Sequence, residues 1–149
     1  MTTGRFHKMH GLGNDFVIID ARASEIELSA AIVTAIADRH SGIGCDQLII
    51  LRPSSEADVR MQIFNADGSE VEACGNASRC VAKLIGDETR IETGGGIITG
   101  NATQDGAIVD MGTPRFEWQS IPLGYAMDTL TMPVGWEDLQ NPSAVNVGN

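Results

Sequence analysis

The sequence predicts an α+β domain in which one curved, mainly antiparallel sheet packs on two helices. Two observations carry this prediction. Short alternating or apolar segments, separated by turns rich in glycine or proline, are typical of antiparallel strands. Two other stretches place apolar residues at helical spacing, next to residues suited to capping a helix. With 149 residues, we expect one domain that buries about two-thirds of the surface of its unfolded chain.

The strands are predicted from short runs along the chain. Residues 5–9 alternate, residues 16–20 are mostly apolar, and a glycine-containing loop covers residues 10–15 between them. Residues 48–51 and 59–64 repeat the apolar and the alternating pattern. Further strands are expected near residues 90–93, 97–102 and 107–111, and residues 144–149 are typical of a strand that runs into a loop.

Both helices are predicted from their apolar stripes. The first begins after a capping serine, Ser24 or Ser29, and runs to about Arg39. The second follows Cys74 and ends at Gly86, which is well placed to cap it. Cys74 is therefore expected at or just before a helix N-terminus, where free backbone N–H groups stabilise a thiolate. A cysteine in that position is a candidate for chemistry.

Composition excludes several classes of function. The formal net charge of −10 argues against nucleic acid or an anionic membrane as a partner, since both need a basic surface. No apolar run is long enough for a membrane span or a signal-peptide core. Three cysteines, an odd count, favour reduced thiols in a cytoplasmic protein. His7 and His10 have the only metal-like spacing and no matching second pair, so we expect no metal site.

Three stretches together resemble the N-terminal half of the diaminopimelate epimerase family. They are residues 7–16 (HKMHGLGNDF), residues 42–47 (GIGCDQ) and residues 65–80, which open with NADGS and continue to CGNASRC. The resemblance extends from Phe6 to Asn149. It implies that residues 1–149 form the family's N-terminal domain, with a curved, mainly antiparallel sheet wrapped around a central helix. On this resemblance, the family's C-terminal domain is expected to be absent from this chain, and the family binds its substrate between the two domains.

The resemblance implies the epimerisation of LL-2,6-diaminopimelate to meso-diaminopimelate, a precursor of lysine and peptidoglycan. It also implies that neither a metal nor pyridoxal phosphate is used. One cysteine, as a thiolate, removes the α-proton, and a second, as a thiol, delivers a proton to the opposite face, as inversion requires. Cys74 matches the first cysteine. The second belongs to a Cys-Gly-Ser motif of the C-terminal domain, so the present chain alone is expected to be inactive.

The substrate-binding residues are also implied by the resemblance. Amide side chains suit a substrate with two ammonium and two carboxylate groups, because they donate and accept hydrogen bonds without adding net charge. The two residues that directly follow Cys74, Gly75 and Asn76, match positions that contact the substrate α-carboxylate, which a helix N-terminus also favours. The residues carried over are Asn14, Gln47, Asn65, Gly75, Asn76 and Asn149.

Other functions stay open at this point. The chain could belong to a related cofactor-independent amino-acid racemase or isomerase, or it could be a non-catalytic half-domain that binds an amino acid. A peptidase or acyltransferase with a thiol nucleophile would need a histidine paired with Cys74. Cys45 and Cys80 are expected to be structural. The expected partners are the substrate diaminopimelate and the domain carrying the second cysteine, and a homodimer is left open.

Overall fold

The structure, a computed structural model, describes residues 4–148. These residues form two compact units that divide between Asp110 and Met111. The first unit contains, in chain order, the elements β1 (His7–Gly11), β2 (Asn14–Asp20), α1 (Ala30–Ala37), β3 (Gln47–Arg52), β4 (Val59–Asn65), β5 (Glu70–Val71), α2 (Gly75–Ile85), β6 (Thr89–Thr93), β7 (Gly96–Thr103) and β8 (Gly106–Asp110).

The eight strands of the first unit form a single sheet in the order β1-β2-β3-β4-β6-β7-β8, with β5 paired to β4. Most neighbouring strands are antiparallel, and the parallel pairs are β2 with β3 and β4 with β6. The prediction of a mainly antiparallel sheet is confirmed. A purely local interpretation of the sequence gives no sign of the parallel pairs, because they join strands separated by a helix.

Helix α2 lies inside the curve of this sheet. It packs against β1, the strand at one edge, and also against β7 and β8 at the other edge. A helix can contact both edges only if the sheet bends around it, so the expected sheet wrapped around a central helix is confirmed. Helix and sheet approach closely at Gly100 of β7, where an added Cβ atom would lie 2.5 Å from the Cβ of Ala82 in α2.

Helix α1 covers the opposite face of the sheet. Its buried residues Val33 and Ala37 share a hydrophobic cluster with Leu48 and Ile50 of β3 and with Cys45. Alternate residues of a strand point to opposite faces, so the remaining fully buried residues of β3 face α2. The cap of α1 is Ser29, whose Oγ accepts a hydrogen bond from the backbone N–H of Ile32 at 3.3 Å. Of the two serines predicted as caps, the structure therefore selects Ser29.

The predicted loop over residues 10–15 is wrong, because a two-residue turn replaces it. Strand β1 continues to Gly11 and β2 already begins at Asn14. Between them Leu12 and Gly13 have φ angles of 53° and 89°, and two positive φ angles in succession match the twist of a tight hairpin. The shorter turn brings Asn14 into the sheet instead of leaving it on a loop.

The second unit contains little regular structure. Within its described residues, β9 (Gly135–Trp136) and β10 (Leu139–Gln140) form a two-stranded hairpin. The strand expected over residues 144–149 is wrong for the described part, where only a single bridge joins Asn146 to Arg115. The N–H of Ala144 donates instead to the carbonyl oxygen of Thr129, which lies outside any strand, at 2.7 Å. Among the helices of residues 4–148, none has the length and apolar character needed to cross a membrane.

Candidate functional site

Three of the predicted amide residues meet at one end of the sheet, on the face that α2 covers. Asn14 opens β2, Gln47 opens β3 and Asn65 ends β4. Gln47 pairs with Asn65 across the antiparallel strands and with Phe16 across the parallel ones. Since Asn14 is two residues before Phe16, it shares a face with it. The register alone therefore places all three amides on the same face.

Hydrogen bonds fix the orientation of two of these amides. Gln47 Nε2 donates to Asn65 Oδ1 at 3.0 Å, and Asn65 Nδ2 donates to Ser69 Oγ at 3.1 Å. The Ser69 hydroxyl in turn donates to the carboxylate of Asp67 at 2.6 Å. Each amide thus presents a defined end to its neighbour. The chain of bonds begins at the turn after β4 and ends at Gln47.

Gln47 also carries an unused acceptor. Its Oε1 atom is buried and, within residues 4–148, has no hydrogen-bond partner. A buried polar atom without a partner costs about 1–3 kcal/mol, and such atoms are expected where a ligand completes the bonding. Oε1 is a carbonyl oxygen, so it suits an ammonium group or another donor.

Cys74 is the residue that caps α2, with an extended backbone at φ −153° and ψ 108°. Its side chain makes no capping hydrogen bond. Instead the Cys74 thiol donates to Asn14 Oδ1, with Sγ and Oδ1 3.9 Å apart. The predicted helix start and the Gly86 cap are both confirmed. The helix therefore brings the half-buried thiol to the same end of the sheet as the amides.

Gly75 and Asn76 form the first turn of α2, immediately after the cysteine. The first N–H groups of a helix have no acceptor within the helix and attract an anion. The Asn76 side chain is held by Arg79, whose Nη2 donates to Asn76 Oδ1 at 2.7 Å. Gly11 lies against this turn, since a Cβ atom there would be 3.4 Å from the Asn76 carbonyl oxygen. This turn can bind a carboxylate.

The other two cysteines lie in the core. Cys45 is 1% exposed and Cys80 is 4% exposed. Burial raises the pKa of both thiols, which favours their protonated form. Cys45 belongs to the cluster beneath α1, on the face of the sheet opposite α2. These positions agree with the structural roles that we predicted for both residues.

Sequence reasoning missed a charged cluster behind Asn14. Arg39 Nη2 bonds to Asp15 Oδ1 at 2.6 Å and to Asp46 Oδ1 at 2.8 Å, while Lys8 Nζ bonds to Asp15 Oδ2 at 2.6 Å. The Arg39 guanidinium holds the pKa of the Asp15 carboxyl well below its usual range. A hydrogen bond from the Asn14 side chain is the main cause that lowers the pKa of Asp46. The sequence did contain a signal for this cluster, because Asp15 directly follows Asn14 and Asp46 directly precedes Gln47.

Asn149, the last of the predicted binding residues, lies outside the described residues. The structure brings the other predicted residues to one end of the first unit, and all of them are half-buried. That exposure leaves each able to contact a ligand. Their individual roles stay predictions.

Comparison with known proteins supplies the family. The family model described as diaminopimelate epimerase matches residues 6–117. The diaminopimelate epimerase of Rhizorhabdus wittichii is 62% identical over 146 residues, which cover 97% of this chain and 53% of the relative. That of Zymomonas mobilis is 57% identical over 148 residues, covering 99% of this chain and 55% of the relative. The chain thus spans about half the length of these curated relatives.

Solved structures of other proteins have a fold similar to that of this chain. A hydroxyproline epimerase from Agrobacterium vitis superposes with a TM-score of 0.55 at 14% identity, over 73% of this chain and 41% of that one. A phenazine biosynthesis protein from Bacillus anthracis superposes with a TM-score of 0.56 at 20% identity, over 77% and 42% of the two chains. At such low identity these likenesses concern the fold alone. The family match, over most of the sequence, shows that this chain belongs to the diaminopimelate epimerase family.

Proposed function

We propose that residues 1–149 form the N-terminal domain of a diaminopimelate epimerase that uses no pyridoxal phosphate. In this proposal the chain supplies one of the two cysteines that interconvert LL- and meso-diaminopimelate, in a pathway to lysine and peptidoglycan. The observation that carries it is the position of Cys74. The thiol caps α2 and lies 3.9 Å from Asn14 Oδ1, at the same end of the sheet as the other two amides.

The first turn of α2 suits the acidic end of the substrate. We place the α-carboxylate at the free N–H groups of Gly75 and Asn76, where the positive end of the helix favours an anion. The α-carbon then lies near the Cys74 sulfur. The unpaired Oε1 of Gln47 is an acceptor for a substrate ammonium group, and Asn65 keeps the Gln47 amide in the orientation that presents it.

The proposed reaction moves two protons. The Cys74 thiolate takes the α-proton and becomes a thiol, while the electron pair of the C–H bond delocalises onto the α-carboxylate. Backbone N–H groups at the helix start stabilise that developing charge. A second thiol, on the domain that completes the site, gives a proton to the opposite face and becomes a thiolate. The product is the inverted amino acid, and the two cysteines have exchanged protonation states.

A thiol nucleophile enzyme fits the site less well. Such an enzyme needs a histidine next to the cysteine to accept its proton. Among the described residues, the side chain bonded to Cys74 is an amide, Asn14. Within residues 4–148, no histidine is hydrogen-bonded to the Cys74 thiol. All three histidines, His7, His10 and His40, are exposed. The geometry therefore favours proton transfer over acyl transfer.

The remaining expectations belong to the same proposal. The partners are diaminopimelate and the domain with the second cysteine, and the protein works in the cytoplasm as a biosynthetic isomerase. A related amino-acid racemase is the second candidate, because a hydroxyproline epimerase has the same fold. Substrate choice separates the two candidates, since a cyclic imino acid offers one ammonium group and one carboxylate.

The test is proton NMR of diaminopimelate in D₂O, with this chain extended through the second cysteine motif. The α-proton signal is expected to disappear, and Cys74→Ala is expected to slow that loss by at least 100-fold, as removal of a general base does. Cys80→Ala, which removes a buried thiol of the same helix, is the matched control. Exchange that persists in Cys74→Ala, or that occurs only with proline-type substrates, would contradict the proposal.

A further inference from the structure

We propose that Asp46 is a positioning residue that fixes the side-chain amide of Asn14, so that the amide oxygen and not the nitrogen faces Cys74. The proposal rests on the proposed function, because it assigns Asp46 a part in the reaction of the same thiol. It adds a residue that touches neither the thiol nor the first turn of α2.

The orientation of Asn14 follows from the chemistry of its neighbour. Asp46 Oδ2 accepts hydrogen bonds from Asn14 Nδ2 and from the backbone N–H of Asp15, both at 2.9 Å. An ionised carboxylate can only accept, so it selects the NH₂ end of the amide. Oδ1 of Asn14 is thereby turned towards the Cys74 sulfur, which it meets at 3.9 Å.

Asp46 is itself held in place on its other side. Its Oδ1 atom accepts from Arg39 Nη2 at 2.8 Å, and Arg39 also binds both carboxylate oxygens of Asp15, at 2.6 and 3.2 Å. The backbone N–H of Asp46 donates to Asp15 Oδ1 at 3.1 Å. These bonds stabilise the ionised form of both acids, in agreement with their lowered pKa values. Asp46 thus remains an acceptor over the physiological range of pH.

The fixed oxygen matters because the site handles cationic groups and a thiol. An oxygen facing the site accepts from a substrate ammonium group, and from the S–H of Cys74 once the thiolate has taken the α-proton. A flipped amide would present N–H donors to the same ammonium group and repel it. Without Asp46, Asn14 could adopt both orientations, and the productive one would be populated only part of the time.

The competing explanation is that Asp46 merely joins β2 to β3 through its bond to the Asp15 backbone. A double-mutant cycle separates the two explanations. If Asp46 acts through Asn14, the variant Asp46→Asn/Asn14→Ala loses no more activity than Asn14→Ala alone. If Asp46 acts only by joining the two strands, the fold-losses of activity of the two single variants multiply in the double variant.

The experiment uses this chain extended through the second cysteine motif and measures kcat/KM for diaminopimelate. Asp46→Asn is expected to lower it about 10- to 100-fold, the range for losing a hydrogen bond to a charged group. The matched control is Asp20→Asn, which removes an Asp–Arg pair with Arg22 at the far end of β2 and should change kcat/KM less than twofold. Losses that multiply, or an Asp46→Asn variant as active as the control, overturn the proposal.

A second measurement does not depend on activity. In ¹⁵N NMR spectra of the present chain, the side-chain NH₂ protons of Asn14 should exchange more slowly than those of the exposed Asn141. Asp46→Asn should abolish that protection and Asp20→Asn should keep it. If the extended protein shows no epimerisation, the proposed function fails, and amide exchange alone decides the orientation of Asn14. Unprotected Asn14 protons in the unsubstituted chain would overturn the inference.

Circular dichroism establishes whether each variant is folded. If Asp46→Asn does not fold, Arg39→Gln takes its place, because it leaves the Asp46 carboxylate in position but frees it to rotate. A smaller loss of kcat/KM in the same direction is then expected. Activity equal to that of Asp20→Asn would overturn the proposal.

Discussion

Cys74 differs from the other cysteines in the surroundings of its sulfur. It is half-buried at a helix start, whereas Cys45 and Cys80 are buried and burial raises the pKa of both thiols. Because the thiolate is the nucleophile and the other two thiols are buried, we predict that iodoacetamide at neutral pH alkylates Cys74 at least tenfold faster than either of them. Mass mapping after brief treatment of the folded protein measures this. Earlier labelling of Cys45 or Cys80 would contradict it.

Asp15 should make the fold sensitive to acid. Its folded-state pKa is lowered, mainly by Arg39, so its contribution to stability is complete above the unfolded-state pKa of about 4. That contribution is lost as the pH falls from there towards the folded-state pKa. We predict that Asp15→Asn is less stable than the unsubstituted chain at pH 7, and that the difference shrinks below about pH 4.

Urea unfolding at a series of pH values measures this dependence. The matched control is Asp87→Asn, which removes an exposed carboxylate between α2 and β6 and should change stability by no more than about 0.5 kcal/mol. A destabilisation by Asp15→Asn that is constant from pH 7 to pH 3 would show that the lost interaction does not depend on the charge of the carboxylate.

At the scale of the elements, the contact between α2 and β7 determines where the helix lies. A Cβ atom at Gly100 would be 2.5 Å from the Cβ of Ala82, too close to be accommodated without movement of the helix. We predict that Gly100→Ala destabilises the fold by about 1–3 kcal/mol, as overpacking does, and slows alkylation of Cys74 or makes it less selective. Gly106→Ala is the matched control, because nothing lies within 4 Å of a Cβ there. Equal urea midpoints for the two variants would contradict this.

Local patterns in the sequence were sufficient to predict most elements of the first unit. Apolar spacing and end signals placed the strands and the α2 boundaries at Cys74 and Gly86, because those signals act within a few residues. The turn at Leu12 and Gly13 was missed, since leucine gives no warning of a positive φ angle. The β9–β10 hairpin was missed for a similar reason: its strands contain only two residues each, too few to show alternation.

The candidate site was predicted unevenly, and distance along the chain explains why. Motifs that resemble the family identified Cys74 and the amides, but local spacing could not bring Asn14 to Cys74, which are 60 residues apart. That contact depends on the curvature of the whole sheet. The proposed role of Asp46 could not be seen in the sequence for the same reason, because its bond to Asn14 spans 32 residues and follows from the parallel pairing of β2 and β3.

At the scale of the whole molecule, the three thiols are held apart from one another. Cys74 lies at the open end of the α2 face, whereas Cys80 is buried further along the same helix, about 9 Å away along the axis. Cys45 belongs to the cluster on the opposite face. No rearrangement of side chains alone would bring either of them to a carbon held at Cys74. Inversion at one carbon needs an acid and a base on opposite faces, and in the proposed mechanism this chain provides one of the two.

We therefore predict that the chain of 149 residues does not epimerise diaminopimelate by itself, whereas a version extended through the second cysteine motif does. Loss of one acid–base partner costs about 10²–10⁴-fold, before any loss of substrate orientation. Chiral chromatography of LL- and meso-diaminopimelate after incubation measures conversion by each version. Adding the missing domain in trans should restore part of the turnover. Comparable turnover by both versions, abolished in each by Cys74→Ala, would show that a single thiol suffices and that the two-domain mechanism is wrong.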